Sequence, residues 1–285
     1  MQILRTVTEL RCWSRTLRAA GGNTLGLVPT MGALHAGHAS LIRAARAAST
    51  HVAVSLFVNP TQFGPNEDYA RYPRAFEADC ELAAAEGADI LFAPPVEELY
   101  PNGPDSTFVE VPALSERLDG QTRPGHFRGV ATVVAKLLIA AEPDRAFFGQ
   151  KDAAQVAVVR RMTADLLLAT EIVVCPIVRD ADGLALSSRN AYLTPAQRIQ
   201  ALTLSRVVRH VESLVAEGER RASMLIASAH GVFATEPSEH EFRIDYIALV
   251  DAATLEPVDT AAPGTLFAVA AWAGSTRLID NAILR

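Results

Sequence analysis

From residue 25 to residue 178, short apolar runs alternate with segments of helical periodicity, and this alternation constrains the fold more than any other feature of the chain. The apolar runs predict strands over 25–28, 52–58, 89–92, 145–148 and 172–178. Between them, helices are expected over 38–48, 74–86, 128–141 and 153–168; in the last, Val156, Val159, Met162 and Leu166 recur with helical spacing. Thr6-Val7-Thr8-Glu9 has capping-box spacing and predicts an opening helix over 7–20, ended by Gly21-Gly22. Strands alternating with helices argue for an α/β fold with a parallel sheet covered on both faces. Ligands of such sheets bind beyond the carboxyl ends of the strands.

The pattern changes after residue 178. A polar loop over 179–190 leads to a helix that Thr194 would cap and Pro195 would open, with Ile199, Leu202, Val207, Val211 and Leu214 on one side. A helix over 222–234 and strands over 242–250, 265–271 and 276–283 complete the chain. This predicts two domains, 1–178 and a smaller α+β domain at 179–285.

The 26 basic and 32 acidic residues give a net charge of −6, which argues against a nucleic-acid partner, whose footprint is a basic face. Cys12, Cys80 and Cys175 are widely spaced and fit a reducing compartment better than a disulfide framework or zinc ribbon. Met1-Gln2-Ile3-Leu4-Arg5 lacks a signal-peptide core, and the longest apolar stretch, 130–141, is interrupted by Lys136 and too short to span a bilayer. A cytoplasmic protein without a membrane segment is expected.

Five clusters carry the candidate chemistry. Pro29-Thr30-Met31-Gly32-Ala33-Leu34-His35-Ala36-Gly37-His38 joins a strand to a helix. Glycines admit close backbone approach, free N–H groups at a helix start attract anions, and each imidazole can donate to a phosphate oxygen. Two surface histidines in an ordinary loop is the alternative. Phe57-Val58-Asn59-Pro60-Thr61-Gln62-Phe63-Gly64 offers Asn59 and Gln62 to a small hydroxy acid or amine, or is simple turn chemistry. In Phe148-Gly149-Gln150-Lys151-Asp152-Ala153-Ala154-Gln155, Lys151 suits a phosphate, Asp152 a helix cap or a ribose hydroxyl, and Gln155 follows one turn later. Leu186-Ser187-Ser188-Arg189-Asn190 reads as a phosphate clamp or as a plain surface loop. Arg123 through Val130 is a basic lip or a connection, with a peripheral role favoured. A metal held by His35 and His38 is disfavoured, because no third ligand lies near in sequence.

Together these clusters resemble the pantothenate synthetase (pantoate–β-alanine ligase, AMP-forming) family. The resemblance rests on residues 29–38 and 57–63, Tyr72-Pro73-Arg74, Gly149 with Lys151, Asp152 and Gln155, and Ser187-Ser188-Arg189-Asn190, in the family's order. It implies a Rossmann-like nucleotidylyltransferase domain, a small C-terminal lid domain and a homodimer. It also implies an ATP- and Mg²⁺-dependent condensation of (R)-pantoate with β-alanine through an enzyme-bound pantoyl adenylate, releasing pyrophosphate and AMP. By resemblance, His35, His38, Lys151 and Arg189 are catalytic, and Mg²⁺ rides on the ATP phosphates rather than on a protein site. The ATP-contacting positions are Met31 through His38, Gly149 through Asp152, Val178 and Leu186 through Arg189. Gln62 and Gln155 match pantoate-holding glutamines, while Asn59 and Tyr72 match supporting positions. Ala36, Ala153, Ala154 and Leu186 depart from the commoner residues. The rivals are an adenylyltransferase that stops at an adenylated product and a non-catalytic nucleotide sensor on the same fold.

Overall fold

Strand β1 (Gln2–Leu4), β2 (Leu25–Thr30), β3 (His51–Leu56), β4 (Ile90–Phe92), β5 (Arg145–Gly149) and β6 (Glu171–Cys175) form one sheet in the order β1-β4-β3-β2-β5-β6. Every neighbouring pair is parallel. This computed structural model describes residues 1–65, 67–103, 106–234 and 242–285. Its chain divides into two compact units, Met1–Gly149 with Val158–Pro176, and Gln150–Ala157 with Ile177–Arg285.

In the first unit the strand order reverses at β2. From there β3 and β4 step outward on one side, and β5 and β6 on the other. The carboxyl ends of β2 and β5 therefore flank the switch point, where parallel sheets of this kind take their ligands. All three residues of β4 are wholly buried, which requires cover on both faces. On one face, Leu41, Ile42 and Ala45 of helix Ala36–Ala48 pack with Val28, Val52 and Val54. Helix His126–Ala141 is buried along most of its length, which is why its sequence reads as a nearly unbroken apolar run. Lys136, the break in that run, donates to the Leu99 carbonyl at 2.5 Å and lies 4.3 Å from the Tyr100 ring centre. Burial holds its ammonium below the usual lysine range.

The opening helix, Val7–Ala19, makes both bonds of its capping box: the Glu9 N–H donates to Thr6 Oγ1 at 3.1 Å and the Thr6 N–H to Glu9 Oε2 at 2.9 Å. Strand β1 is not visible in the sequence, since three residues are too few to display a period. The helix expected from residue 38 starts at Ala36, and β6 ends at Cys175 rather than at residue 178.

In the second unit β7 (Phe242–Asp251), β8 (Thr265–Ala273) and β9 (Thr276–Ile283) form an antiparallel sheet in that order. Thr194 caps helix Pro195–Ala216 through the Gln197 N–H, and helix Ala222–Ala234 follows. Leu204, Val208 and Val211 of the first helix and Leu225 and Ala229 of the second share a core with Phe267 and Val269 of β8. Among the described residues no helix is long and apolar enough to cross a membrane.

Candidate active site

The histidine loop follows β2 and is held from within the first unit. Gly32 and Ala33 both take left-handed backbone, with φ of 90° and 51°. Ala33 accepts a conformation that alanine rarely adopts because a carboxylate compensates. Asp79, buried on helix Phe76–Ala85, accepts the Ala33 N–H at 2.9 Å and the Leu34 N–H at 2.6 Å. A side chain at Gly32 would crowd Asp79 Oδ2 and Leu56, so position and conformation both call for glycine there. Burial pushes the Asp79 carboxyl above its usual range, outweighing the two N–H donors.

His35 is the N-cap of helix Ala36–Ala48, and its Nδ1 accepts the Gly37 N–H at 3.1 Å. In return His38 Nδ1 accepts the His35 N–H at 3.3 Å. The two histidines thus occupy the places that Ser or Thr and Glu or Gln take in a capping box. A ring nitrogen that accepts carries no proton, so each neutral imidazole carries its proton on Nε2. The ring centres lie 4.2 Å apart at 40°. The sequence suggests free backbone N–H groups as anion donors, yet those of Ala33, Leu34 and Gly37 are engaged internally. With both Nδ1 atoms accepting, the Nε2 protons are donors whose place the loop fixes.

Asn59 and Gln62 lie after β3, both buried. Tyr100 Oη donates to Asn59 Oδ1 at 2.8 Å, and Asn59 Nδ2 donates to Gln62 Oε1 and to the Gly129 carbonyl, each at 3.1 Å. Gln62 Nε2 then points at Met31 Sδ, 3.0 Å away. The chain of bonds fixes which way the Gln62 amide faces. Burial pushes the Tyr100 phenol up, which keeps it protonated as the donor this chain requires.

The segment read as a basic lip or a connection, with a peripheral role favoured, supports Gln62 instead. Arg123 Nη1 lies 3.0 Å from His126 Nε2 and, as arginine only donates, the His126 proton sits on Nδ1, 2.8 Å from the Gln62 carbonyl. Glu67 accepts from Arg123 at 2.6 Å. A Cβ at Gly129 would collide with the Thr61 carbonyl, so glycine is what lets this helix approach the Gln62 backbone. Tyr72 is buried edge-on against Phe63, with ring centres 5.8 Å apart.

The second unit carries the remaining candidates. Gln150–Asp152 forms a single 3-10 turn ahead of helix Ala153–Asp165, on which Gln155 is half-buried. Lys151 Nζ lies 3.4 Å from Asp152 Oδ1. The Leu186 N–H donates to the Val178 carbonyl at 3.0 Å, closing a hairpin that also pairs Arg179 with Ala185. Ser187 Oγ accepts the Arg189 N–H at 3.3 Å and so starts the turn Ser188–Tyr192. Among the described residues no group of three or more His, Cys, Asp or Glu side chains is arranged to hold a metal ion.

The model of the family described as Pantoate-beta-alanine ligase matches residues 2–283. The chain belongs to the pantoate-beta-alanine ligase family. A pantothenate synthetase of Koribacter versatilis is 54% identical over 285 residues, covering 100% of this chain and 96% of that protein. The crystal structure of pantothenate synthetase from Thermus thermophilus superposes with a TM-score of 0.92 at 44% identity, covering 99% of each chain. That of the Francisella tularensis ligase, complexed with beta-gamma ATP and beta-alanine, gives 0.79 at 32% identity, covering 99% of this chain and 97% of that one. The activity is that of a pantoate–β-alanine ligase, which makes pantothenate. The rival readings, an adenylyltransferase that stops early and a non-catalytic sensor, fall with it.

Sequence reasoning about this ligase missed Asp79 and Tyr100 and gave the segment of His126 a peripheral role; none of the three adjoins the residue it holds. Of the departures from the commoner residues, Leu186 makes its bond to Val178 through its backbone, and Ala153 and Ala154 are buried.

Proposed function

We propose that pantothenate forms in two half-reactions. MgATP enters as substrate, its ion carried on the phosphates. The (R)-pantoate carboxylate attacks the α-phosphorus in line, the bond to the bridging oxygen breaks, and pyrophosphate leaves. The β-alanine amine, neutral when it reacts, then attacks the acyl carbon of the pantoyl adenylate, AMP departs with the bonding pair, and the nitrogen releases a proton to solvent as the amide forms. A carboxylate nucleophile needs no general base, so catalysis is alignment plus neutralisation of charge on the triphosphate.

His35 and His38 donate through Nε2 to phosphate oxygens, and Lys151 and Arg189 supply positive charge. Met31 through His38, Gly149 through Asp152, Val178 and Leu186 through Ser188 complete the ATP contacts. Gln62 and Gln155 hold pantoate, with Asn59 orienting Gln62 and Tyr72 backing its segment. The observation that carries this reading is the reciprocal bonding of His35 and His38, which sets both rings as Nε2 donors before any ligand arrives. The Francisella complex supports ATP and β-alanine as ligands.

Family likeness is the ground for a homodimer, which light scattering checks, and the widely spaced cysteines are a ground for a cytoplasmic enzyme. The deciding experiment measures pyrophosphate and AMP with each substrate omitted in turn. Pyrophosphate requires ATP and pantoate, and stoichiometric AMP also requires β-alanine. AMP release that ignores β-alanine would refute the two-step order.

A further inference from the structure

Two neighbouring residues of β9, Asp280 and Asn281, are buried polar groups 2% and 4% exposed that the mechanism above does not use. Their side chains are committed to two other segments of the same unit. Asn281 Nδ2 donates to the Gln150 carbonyl at 3.0 Å and to the Lys151 carbonyl at 2.9 Å. Its Oδ1 accepts from Gln150 Nε2 at 3.0 Å. Both amide protons and the amide oxygen are thereby spent on one three-residue turn. Asp280 grips Arg179 with both oxygens, at 2.6 and 2.9 Å, and its Oδ1 also accepts the Asn281 N–H at 2.8 Å. Arg179 lies in the hairpin that pairs Val178 with Leu186 and leads into Ser187–Arg189.

We propose that Asp280-Asn281 is the positioning element for the two nucleotide-facing segments of the second unit, with Asn281 acting through Lys151. The inference rests on the proposed role of Lys151. Lysine is a point charge on a flexible stem, so where its ammonium reaches depends on where its backbone is anchored. The Lys151 side chain has its ion pair with Asp152 at 3.4 Å, whereas its carbonyl is held by a buried amide at 2.9 Å. A buried asparagine whose donors end on two carbonyls of a single turn fixes that backbone and, if removed, leaves both carbonyls without those donors. Consecutive residues of one strand thus join a turn at residue 150 to a hairpin at residue 179.

A double-mutant cycle tests this, because residues that act through one another are non-additive. Asn281→Ala and Lys151→Ala are made singly and together, and kcat is read for complete turnover. Asn281→Ala is expected to lower kcat about tenfold in the parent and less than about twofold in the Lys151→Ala background. Asn281→Ser, a milder change, carries the same test should Asn281→Ala fail to fold. A kcat within twofold of the parent, or an equal loss in both backgrounds, overturns the inference. A Lys151→Ala protein with parental kcat removes the underlying role of Lys151 instead, whatever Asn281→Ala does.

Discussion

The histidine loop and the Lys151 turn carry the same kind of proposed chemistry, a positive or proton-bearing group for a phosphate, but they are held in different ways. The histidine loop carries part of its own support: His35 and His38 together cap one helix start within four residues, while Asp79 holds the Ala33 and Leu34 N–H groups. The Lys151 turn depends on Asn281, 130 residues away in sequence. In the first region the proposed reacting groups also carry structural bonds. In the second, Lys151 is free of structural duty and another residue sets its place.

The largest expected effect tests that difference. His38→Ala and Lys151→Ala should each lower turnover at least ~10²-fold, the scale of losing one preorganised electrostatic donor. Their stabilities should diverge. His38→Ala also removes the acceptor for the His35 N–H and should cost about 0.5–2 kcal/mol, as cap deletions do. Lys151→Ala leaves both carbonyl bonds to Asn281 in place and should melt near the parent temperature. Equal melting points in purified variants would erase the distinction between the two regions.

The same distinction explains what was legible in the sequence. The proposed site groups sit in contiguous motifs, so Gln62, Lys151 and the two histidines are visible as residue types beside glycines and turns. The alternation of strand and helix periods locates five of the six strands of the parallel sheet, and Thr194-Pro195 marks its helix start. The supports are not legible, because each is an ordinary residue in an ordinary element. Asp79 looks like a solvated helix position, and Asp280-Asn281 like two polar residues near the end of a strand. His126 reads as part of a lip, since nothing in Arg123–Val130 announces a bond to the Gln62 carbonyl. Only the folded chain supplies these partners.

A smaller effect is expected where an amide rather than a charge is removed. Gln62→Ala should raise the pantoate KM about tenfold, the scale of one hydrogen bond lost to a charged ligand, with the ATP KM little changed. Titrating both substrates decides it, and a defect confined to ATP would count against the role of Gln62. Asp79→Asn should act on the other substrate. The amide oxygen can still accept one of the Ala33 and Leu34 N–H groups, but its NH₂ faces the second, so the ATP KM should rise about fivefold, near 1 kcal/mol. An unchanged ATP KM would mean that the loop keeps its shape without the carboxylate.

The smallest effect concerns the pH dependence of that same support. Burial raises the Asp79 carboxyl above its ordinary value of 3.8, while the two N–H donors pull it down. Between that ordinary value and the raised one, the folded chain binds more protons than the unfolded chain. Stability contributed by Asp79 is therefore fully present below the unfolded value and falls as pH climbs through the folded one. Asp79→Asn cannot titrate there. The stability difference between parent and variant, read from urea midpoints at successive pH values, should accordingly shrink as pH rises. Should the gap widen instead, the N–H donors outweigh burial, the ionised carboxylate is the form that the loop prefers, and Ala33 owes its left-handed backbone to a full negative charge.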